Sequence, residues 1–342
     1  MQNDVPITIL AIESSCDDTA AAVIKDGKIL ANIVADQKVH EKYGGVVPEL
    51  ASRAHQQNIV PVVQAALEQA GITKNDLSAI AFTVGPGLMG SLLVGASFAK
   101  SLALGLNIPL IAVNHMQGHI LAHFIKDEEE QKVPSFPFLC LTVSGGHTQL
   151  VVIKDYLEME VVGSTLDDAA GEAFDKAGKI MGLPYPAGPI IDKKAKEGNA
   201  NAFQFTLPRV ADNAFSFSGI KSSFLYFLQA QVKTDQDFVQ KNLNDLCASI
   251  QYTIVKHLLD KFRKAIEKYD VQDIAICGGV SANTHLRSSV AELGKELDKN
   301  VFVPKFEYCT DNAAMIAITA HFQYKAQDFS DQSVRPQARL SI

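Results

Sequence analysis

The feature that most constrains the fold of this 342-residue chain is an internal repeat. Residues 13–26 read ESSCDDTAAAVIKD and residues 142–155 read TVSGGHTQLVVIKD, and six of the 14 positions are identical without a gap. Each copy follows an apolar run, ITILAI or FPFLCL, and precedes a second extended run. Such a repeat indicates a duplicated supersecondary unit. Each copy predicts a strand, a small polar turn, a second strand, another turn and a third strand.

A second pair of similar segments supports the duplication. DLSAIAFTVGPGLMGS begins at Asp76 and DVQDIAICGGVSANTH begins at Asp270, and each predicts a buried strand, a glycine loop and a helix. Between the copies, KDEEEQKVPSFPF (residues 126–137) is a charge run closed by prolines, which is typical of a domain boundary. We therefore predict two related α/β lobes, 1–133 and 134–342. The second lobe carries an inserted segment at about 163–220, and its C-terminal segment can pack back on the first lobe.

Composition restricts the class of function. The formal net charge of −7 argues against strong nucleic-acid binding by the chain alone. The five cysteines contain no C-x-x-C pair, which disfavours a disulfide framework or a cysteine zinc site. The N-terminus lacks the pattern of a signal peptide, and the most apolar stretch, LMGSLLVGASFA, is 12 residues long and ends at Lys100. We expect a cytoplasmic protein with no membrane segment.

The segment NHMQGHILAHF (residues 114–124) places His115, His119 and His123 at helical spacing. Histidines four residues apart on a helix can share a metal ion, as in the H-E-x-x-H motif of zinc proteases. Here Met116 occupies the position of the glutamate that activates water in those enzymes. The spacing therefore predicts a metal site without peptidase chemistry. His123 lies about 12 Å along the helix from His115, beyond the reach of one ion.

Three glycine loops each allow two interpretations. GPGLMG (residues 85–90) fits a dinucleotide fingerprint, but the next strand ends in Asn114 rather than an acid, so close packing of a helix is the better explanation. SGGHT (residues 144–148) is either a phosphate loop, in which the glycines permit positive φ, or a plain hairpin. CGGVSAN (residues 277–283) either supports a planar base on bare backbone or forms an ordinary loop with Ser281 as the helix cap.

The sequence alone does not decide whether two acidic residues have a structural or a functional role. Asp175, in GEAFDKAGK, is by default part of a solvated charge run. In YCTDNAAMIA, Thr310 is the expected helix cap and Asp311 a first-turn acid. The functional alternative makes Asp311 a third metal ligand.

Two lobes that each open with a hairpin and a small polar turn suggest the actin-like ATPase superfamily, in which a nucleotide lies between the lobes. Beyond that, eight segments in order resemble one family, the bacterial tRNA N6-adenosine threonylcarbamoyltransferases, formerly described as O-sialoglycoprotein endopeptidases. The segments span about residues 7–336 and read ESSCDDT, YGGVVPELASR, GPGLMGSLLVG, NHMQGH, VSGGHTQL, GEAFDKAGK, CGGVSAN and CTDNAAMIA. The resemblance implies an α/β fold of two duplicated actin-like (ribonuclease H-like) lobes, with nucleotide and metal in the cleft.

The resemblance also implies a reaction. The family transfers the threonylcarbamoyl group from threonylcarbamoyl-adenylate to N6 of the adenosine 3′ of the anticodon, in tRNAs reading codons that begin with A, and AMP leaves. One divalent metal ion, iron or zinc, belongs to each subunit, and the adenylate binds in the nucleotide cleft. Acyl transfer to an amine needs no activated water, which agrees with the absence of a protease glutamate.

Site residues follow from the resemblance position by position. It implies metal ligation by His115, His119 and Asp311. It implies substrate binding by Thr142, Val143, Ser144, Gly145, Gly146, Asp175, Gly188 and Asn283, with a ribose contact from Asp192. The catalytic base remains open, and Glu13, Asp17 and Asp18 are candidates through their position in the turn of the first lobe.

The resemblance further implies partners: tRNA, a smaller paralogue of the same fold, a P-loop ATPase subunit, and a separate synthase that supplies the adenylate. The main alternative is a small-molecule kinase of the same superfamily, which explains the glycine loops but not a His/His/Asp triad. A non-catalytic binding subunit would be expected to lack the metal ligands, and here they are present. A metallopeptidase stands last, because the sequence offers no base for water.

Overall fold

The computed structural model describes residues 6–126, 131–211 and 213–342, so that Asp127–Glu130 of the predicted boundary segment lie outside the described residues. Within these ranges the strands, in chain order, are β1 (Thr8–Glu13), β2 (Thr19–Lys25), β3 (Lys28–Ala35), β4 (Ala79–Gly85), β5 (Leu110–Asn114), β6 (Phe138–Val143), β7 (Thr148–Asp155), β8 (Glu158–Thr165), β9 (Ala214–Phe215), β10 (Asp273–Cys277) and β11 (Asn300–Phe302).

The α-helices of the same ranges lie mostly between the strands and after β9. In chain order they are α1 (Pro48–Ala70), α2 (Met89–Leu106), α3 (His115–Leu121), α4 (Ala170–Ile180), α5 (Gly188–Ala195), α6 (Ser218–Thr234), α7 (Phe238–Lys241), α8 (Leu243–Tyr269), α9 (Thr284–Glu296) and α10 (Ala313–Lys325). Short 3₁₀ turns connect several of them.

The chain forms two compact units. The first unit comprises Met1–Val133, Asp155–Glu158 and Lys305–Ile342, and the second comprises Pro134–Lys154 and Met159–Pro304. Helix α10 and the residues after it therefore belong with the first unit, although they follow the second in sequence.

The first unit is built on a five-stranded sheet of order β3-β2-β1-β4-β5. Strands β1, β2 and β3 form an antiparallel meander, whereas β4 and β5 run parallel to β1. The parallel arrangement brings the carboxyl ends of β1, β4 and β5 to one edge of the sheet. All six residues of β1, TILAIE, are buried, as expected for a strand covered on both faces.

The second unit repeats this order. Its six-stranded sheet reads β11-β10-β6-β7-β8-β9, so β8-β7-β6-β10-β11 corresponds strand for strand to β3-β2-β1-β4-β5. The repeated segments 13–26 and 142–155 both begin at the end of the sheet's first strand, cross the first turn and continue through the second strand. The predicted duplication is confirmed. Among the described residues, the first unit has one α-helix, α1, between β3 and β4, whereas the second unit has β9 and helices α4 to α8 between β8 and β10.

Helix α1 covers one face of the first sheet. Its inner side is formed by small and branched residues at helical spacing, among them Ala51, Ile59 and Ala66, which pack on the sheet core. Gly71 ends the helix in the left-handed conformation, where its N–H caps the last turn. Pro61 is accommodated within the helix.

Helix α2 differs from the sequence expectation. The 12-residue apolar stretch is part of a longer helix, which continues past Lys100 to Leu106 and is 18 residues long. By length and composition alone this helix could cross a membrane, as could the core helix of a soluble protein. Here Ala96, Ala99 and Ala103 pack on the first sheet, and Lys100 lies within the span.

Candidate active site

Helix α3 carries the two predicted metal-binding histidines at the carboxyl end of β5. Asn114, the last residue of that strand, is the N-cap of the helix, because its side-chain oxygen accepts hydrogen bonds from the N–H groups of Met116 and Gln117. His115 and His119 follow one helical turn apart, and their rings meet edge to face with centroids 4.7 Å apart. Both side chains are buried.

Asp311 completes the group from a segment almost 200 residues away in sequence. Its Oδ1 lies 3.2 Å from Nε2 of His119 and 3.4 Å from Nε2 of His115. One ligand atom from each of the three residues lies within 4.8 Å of the others, a set that can hold a metal ion. All three residues belong to the first unit.

Glu13, at the end of β1, fixes the other side of His115. Its Oε2 lies 3.0 Å from Nδ1 of His115 and accepts a 2.6 Å hydrogen bond from the hydroxyl of Thr83, while Oε1 accepts from the N–H of Ser15. A carboxylate only accepts, so the shared proton belongs on Nδ1 and leaves Nε2 free to bind a ligand. This carboxylate–histidine arrangement is typical of a metal centre.

The electrostatics of the group depend on its burial. Burial by itself raises the pKa of Asp311, but the charge of His115 and hydrogen bonds from both histidines outweigh it and hold that pKa well below its usual range. Burial would lower the pKa of His115, yet the charges of Asp311 and Glu13 raise it well above the usual value. The two carboxylates thus favour the protonated form of His115, whose charge offsets part of theirs.

The donor set fits a divalent metal ion. Two imidazole nitrogens and one carboxylate oxygen converge, and the ligand atom of His115 is oriented by Glu13. In addition, Nδ1 of His119 is buried and has no hydrogen-bond partner among the described residues. Nitrogen and oxygen donors of this kind suit zinc or iron, and three protein ligands leave coordination positions for substrate.

His123 does not belong to this group, in agreement with the distance argument. It is buried, and it lies in the short 3₁₀ turn Ala122–Phe124 that follows α3. Within the part of the chain that the structure describes, the group that could hold a metal consists of His115, His119 and Asp311.

The turn between β1 and β2, residues 14–18, is enclosed by neighbouring helices. The carbonyl of Cys16 accepts hydrogen bonds from Nε2 of His55 on α1 and from the hydroxyl of Ser91 on α2. His55 is fully buried and its Nδ1 faces the hydroxyl of Thr19 at 2.8 Å. No sequence signal singled out His55, which lies within an ordinary amphipathic helix pattern.

Two of the three candidate bases differ in environment. Glu13 is completely buried and all its contacts are structural hydrogen bonds. Asp18 is half-buried, and burial together with the charges of Asp311, Asp17 and Asp36 raises its pKa to about 7. A carboxyl with a pKa near neutrality can accept and release a proton at physiological pH.

The turn between β6 and β7 in the second unit is open. The N–H of Ser144 donates to the carbonyl of His147, and the hydroxyl of Ser144 accepts from the N–H of the same residue. Gly145 and Gly146 between them are exposed, and a Cβ on either would meet nothing within 4 Å. Neither has a positive φ, so the turn does not use the conformational freedom that glycine permits there.

The glycine that the backbone requires lies instead in the CGGVSAN loop. Gly278 has φ 89°, and a Cβ there would lie 2.5 Å from the carbonyl of Val143. Its neighbour Gly279, like Gly188, has open space where a Cβ would be. The fold therefore demands glycine at 278 but not at Gly145, Gly146, Gly188 or Gly279.

The predicted adenylate residues of the second unit make protein contacts of their own. Asp175 accepts a hydrogen bond of 2.8 Å from the N–H of Ala187 beside Gly188, and burial raises its pKa despite that bond. Asp192 binds the N–H and hydroxyl of Thr284. Thr142 is buried at the end of β6, with its hydroxyl bonded to the carbonyl of Gln149.

Two helix caps differ from the sequence expectation. At α9 the N-cap is Asn283, whose oxygen accepts from the N–H of Leu286, and not Ser281. At α10 the N-cap is Asn312, and not Thr310, which frees Asp311 from a capping role. In both cases the helix begins two residues later than expected, so the asparagine rather than the hydroxyl residue occupies the N-cap position, and its side-chain oxygen accepts from the N–H three residues on.

Comparisons with known proteins agree closely. The family model described as "TsaD: tRNA N6-adenosine threonylcarbamoyltransferase" matches residues 28–318. The chain is similar to the tRNA N6-adenosine threonylcarbamoyltransferases of Christiangramia forsetii, at 62% identity over 99% of this chain and 100% of that protein, and of Phocaeicola vulgatus, at 58% identity over 98% and 99%.

Solved structures with low sequence identity support the fold alone. Full-length HypF in its phosphate- and nucleotide-bound form aligns with a TM-score of 0.61 at 12% identity, covering 98% of this chain and 48% of that one. Component A of the (R)-2-hydroxyglutaryl-CoA dehydratase of Acidaminococcus fermentans aligns with a TM-score of 0.53 at 16% identity, covering 94% and 99%. The expected actin-like architecture of two α/β lobes is confirmed.

Proposed function

Because the chain belongs to the tRNA N6-adenosine threonylcarbamoyltransferase family, we propose that it transfers a threonylcarbamoyl group from threonylcarbamoyl-adenylate to N6 of the adenosine 3′ of the tRNA anticodon. The tRNAs are those reading codons that begin with A, and AMP is released. The observation that carries the proposal is the combination of this match, over 99% of the chain, with a His/His/Asp group that can hold a metal.

His115, His119 and Asp311 are the proposed metal ligands, with iron favoured and zinc as the other option. When bound, the ion supplies Lewis-acid polarisation of the carbamoyl carbonyl or a clamp for substrate oxygens. The protein itself holds the ligand atoms in position before the ion binds. Glu13 holds the proton on Nδ1 of His115, so that Nε2 is kept as a ligand atom.

Four glycines support an adenylate site in the second unit. Gly145, Gly146, Gly188 and Gly279 are not required by backbone conformation or by a neighbouring atom. A ligand that lies against bare backbone explains them, since phosphate and a planar base both need close approach. Asp175 then acts by holding the loop that contains Gly188, through its hydrogen bond to Ala187. Thr142, Val143 and Ser144 lead from the end of β6 into the β6–β7 turn that carries Gly145 and Gly146.

Asn283 and Asp192 fit the same region. Asn283 donates to Gln251 and caps α9, so it fixes the position of the CGGVSAN loop. The carboxylate of Asp192 accepts a hydrogen bond from the hydroxyl of Thr284, the residue after Asn283. It can still accept a further hydrogen bond from a ribose hydroxyl.

Asp18 is the proposed proton acceptor. The attacking adenosine amine must lose a proton as the carbamoyl bond forms, and a carboxyl with a pKa of about 7 matches that task. Glu13 is excluded from this role in our proposal, because its two oxygens already bind Ser15, Thr83 and His115. Asp17, next to Asp18, contributes negative charge.

The proposal includes partners and location. A smaller paralogue of the same fold, a P-loop ATPase subunit and a synthase that makes the adenylate complete the reaction, which takes place in the cytoplasm. The chain is acidic overall, with a formal net charge of −7, so tRNA binding by the chain alone should be weak at physiological salt.

The test is depletion of the protein followed by quantification of threonylcarbamoyladenosine in bulk tRNA by mass spectrometry. We expect the modified nucleoside to disappear and to return when the intact gene is restored. In parallel, the reconstituted system should convert threonylcarbamoyl-adenylate and unmodified tRNA to modified tRNA and AMP. Unchanged modification after depletion, or ATP-dependent phosphorylation of a small molecule without need for tRNA, would overturn the proposal in favour of a kinase.

A further inference from the structure

The last nine residues of the chain, 334–342, run across the first unit as an exposed strap. Val334 and Leu340 anchor it by packing on the core of that unit. Between them, the N–H of Gln337 donates to the carbonyl of Val84 at 2.8 Å, and the N–H of Gly87 donates to the carbonyl of Ala338 at 3.2 Å. We call this segment the C-terminal strap.

The attachment points place the strap at a particular edge of the sheet. Val84 and Gly87 lie at the carboxyl end of β4, and the side-chain amide of Asn114, at the end of β5, donates to the carbonyl of Ser341 at 3.0 Å. The carboxyl ends of β1, β4 and β5 share one edge. Because Asn114 directly precedes His115, the strap crosses the edge that carries the metal-binding group.

The side chains that the strap presents to solvent are cationic. Arg335 and Arg339 are both exposed, and neither makes an ion pair or a side-chain hydrogen bond within the described ranges 6–126, 131–211 and 213–342. Residues 332–342 contain no acid. The strap is held by its backbone and by apolar side chains, so the two guanidinium groups remain available.

The charge of the surroundings makes this arrangement informative. The same edge carries the acidic residues Glu13, Asp17, Asp18 and Asp311, in a chain with a formal net charge of −7. A polyanion whose reactive base has to reach that edge would be repelled unless cations beside the site offset the acids. Arginine also suits phosphate geometry, because its planar fork donates two hydrogen bonds.

We propose that the C-terminal strap is a contact surface for the tRNA backbone, on which Arg335 and Arg339 bind phosphates flanking the target adenosine. The inference rests on the proposed function and adds where tRNA is held on the first unit. Phosphate contacts of this kind position the substrate and carry no base specificity. They should therefore affect tRNA binding and leave the transfer step unaltered.

The experiment compares three double variants of the full-length chain. Arg335→Gln with Arg339→Gln removes both charges, and Arg335→Lys with Arg339→Lys retains them. The control is Lys25→Gln with Lys28→Gln, which removes two exposed charges from the β2–β3 hairpin, beside the amino end of β1 and thus at the opposite edge of the same sheet. Each is measured with an in vitro transcribed, unmodified tRNA.

The expected result is a loss of affinity with a loss of salt dependence. The glutamine pair should raise the KM for tRNA by roughly tenfold and reduce the slope of log affinity against log salt by about two, between about 50 and 200 mM salt. The kcat at saturating tRNA, AMP release and bound metal should stay at the wild-type level. The lysine pair should keep the slope, and the control pair should keep both slope and KM.

Two results would overturn the inference. If the glutamine pair keeps the wild-type KM and salt slope, the strap does not contact tRNA. If the control pair raises the KM and reduces the salt slope to the same extent as the glutamine pair, the effect is one of net charge and not of the strap. In either case modification of tRNA by the wild-type chain in the same assay preserves the proposed function, whereas its absence with a metal-loaded wild-type chain would contradict that function instead.

Discussion

The two repeated hairpin turns of this molecule have diverged in how they meet their surroundings. The β1–β2 turn, residues 14–18, is enclosed: Gly87 and Gly95 leave room for Ser15 and Ser14, and His55 and Ser91 bind the Cys16 carbonyl. The β6–β7 turn, residues 144–147, is less enclosed: the carbonyl of Ser144 accepts a hydrogen bond from the N–H of Gly171 on α4, but the positions where Gly145 and Gly146 would carry a Cβ face open space.

The difference shows how one duplicated scaffold serves two kinds of chemistry. The enclosed turn carries acids and follows Glu13, so it acts through side chains whose positions and pKa values depend on burial. The open turn carries no acid and offers bare backbone, which suits an approaching ligand. The repeat in the sequence predicted that the two turns would be equivalent. The packing around each turn makes them different in the structure.

The largest expected effect is at the metal group of the first unit. Replacing one of the three ligands, in His115→Ala or Asp311→Ala, should lower metal affinity by more than about a hundredfold and abolish transfer, since two donors hold a divalent ion poorly. The measurement is metal content per folded protein by elemental analysis, paired with transfer in the reconstituted system.

His123→Ala is the control for this prediction, because His123 lies outside the group. It should retain both metal and transfer. Full occupancy in His115→Ala, or metal loss confined to His123→Ala, would refute the assignment.

The next effect concerns the carboxylate that orients His115. Glu13→Gln keeps the shape of the side chain but leaves one acceptor oxygen for three donors, from Ser15, Thr83 and His115, and removes the negative charge that holds the proton on Nδ1 of His115. Metal affinity should fall by roughly 10- to 100-fold, as is usual for such outer partners. Competition titration with a chelator of known affinity measures the change; affinity equal to that of the wild type would show that Glu13 serves packing only.

A pair of glycine substitutions contrasts the two turns directly. In the first unit, Gly87→Ala would place a Cβ 2.4 Å from the Ser15 carbonyl, so the free energy of unfolding should fall by roughly 1–3 kcal/mol. In the second, Gly145→Val adds a branch in open space, so the fold should persist while adenylate affinity falls by about tenfold, equivalent to about 1.4 kcal/mol.

Chemical denaturation and calorimetry with AMP as the probe measure these two quantities for both variants. The contrast fails if Gly145→Val is folded and binds with unchanged affinity, or if Gly87→Ala is as stable as the wild type.

The smallest expected effect is a pH dependence of stability from Asp18. Its pKa in the fold, about 7, lies above the ordinary value of 3.8, with burial as the main cause. Between these values the folded chain retains a proton that the unfolded chain has lost, so the free energy of unfolding decreases as pH rises through this window. Asp18→Asn should remove that decrease and stabilise the chain at pH about 8 by roughly 1–2 kcal/mol, allowing for solvent screening.

Urea unfolding in the presence of a chelator, at pH values on both sides of the window, measures the Asp18 effect. Glu158→Gln, at an exposed position of the same unit, is the control and should follow the wild type, because Glu158 is not among the charges that raise the pKa of Asp18. Equal pH profiles for Asp18→Asn and the wild type would show that burial does not raise this pKa. If Asp18 is the proton acceptor, the same variant should also lose transfer while it retains tRNA binding.

Much of this architecture was accessible from the sequence because the information is local. Alternating and continuous apolar runs define the strands, and the gapless repeat predicted that the second sheet would copy the first. The spacing of His115 and His119 predicted that they share a helical face, since four residues span about one turn. The caps at Asn283 and Asn312 were missed, because several polar residues lie close together there and the sequence did not fix the residue at which each helix begins.

What the sequence by itself determined is therefore the duplicated pair of sheets, the family and the two histidines on one helix. Only the tertiary structure decided that Asp311 meets those histidines, that Glu13 binds the remaining nitrogen of His115, and that the terminal strap crosses their edge of the sheet. The reason is physical: helical and strand periodicity act over a few residues, whereas these contacts join segments about 100 to 230 residues apart. Their geometry is set by how whole elements pack around a buried core.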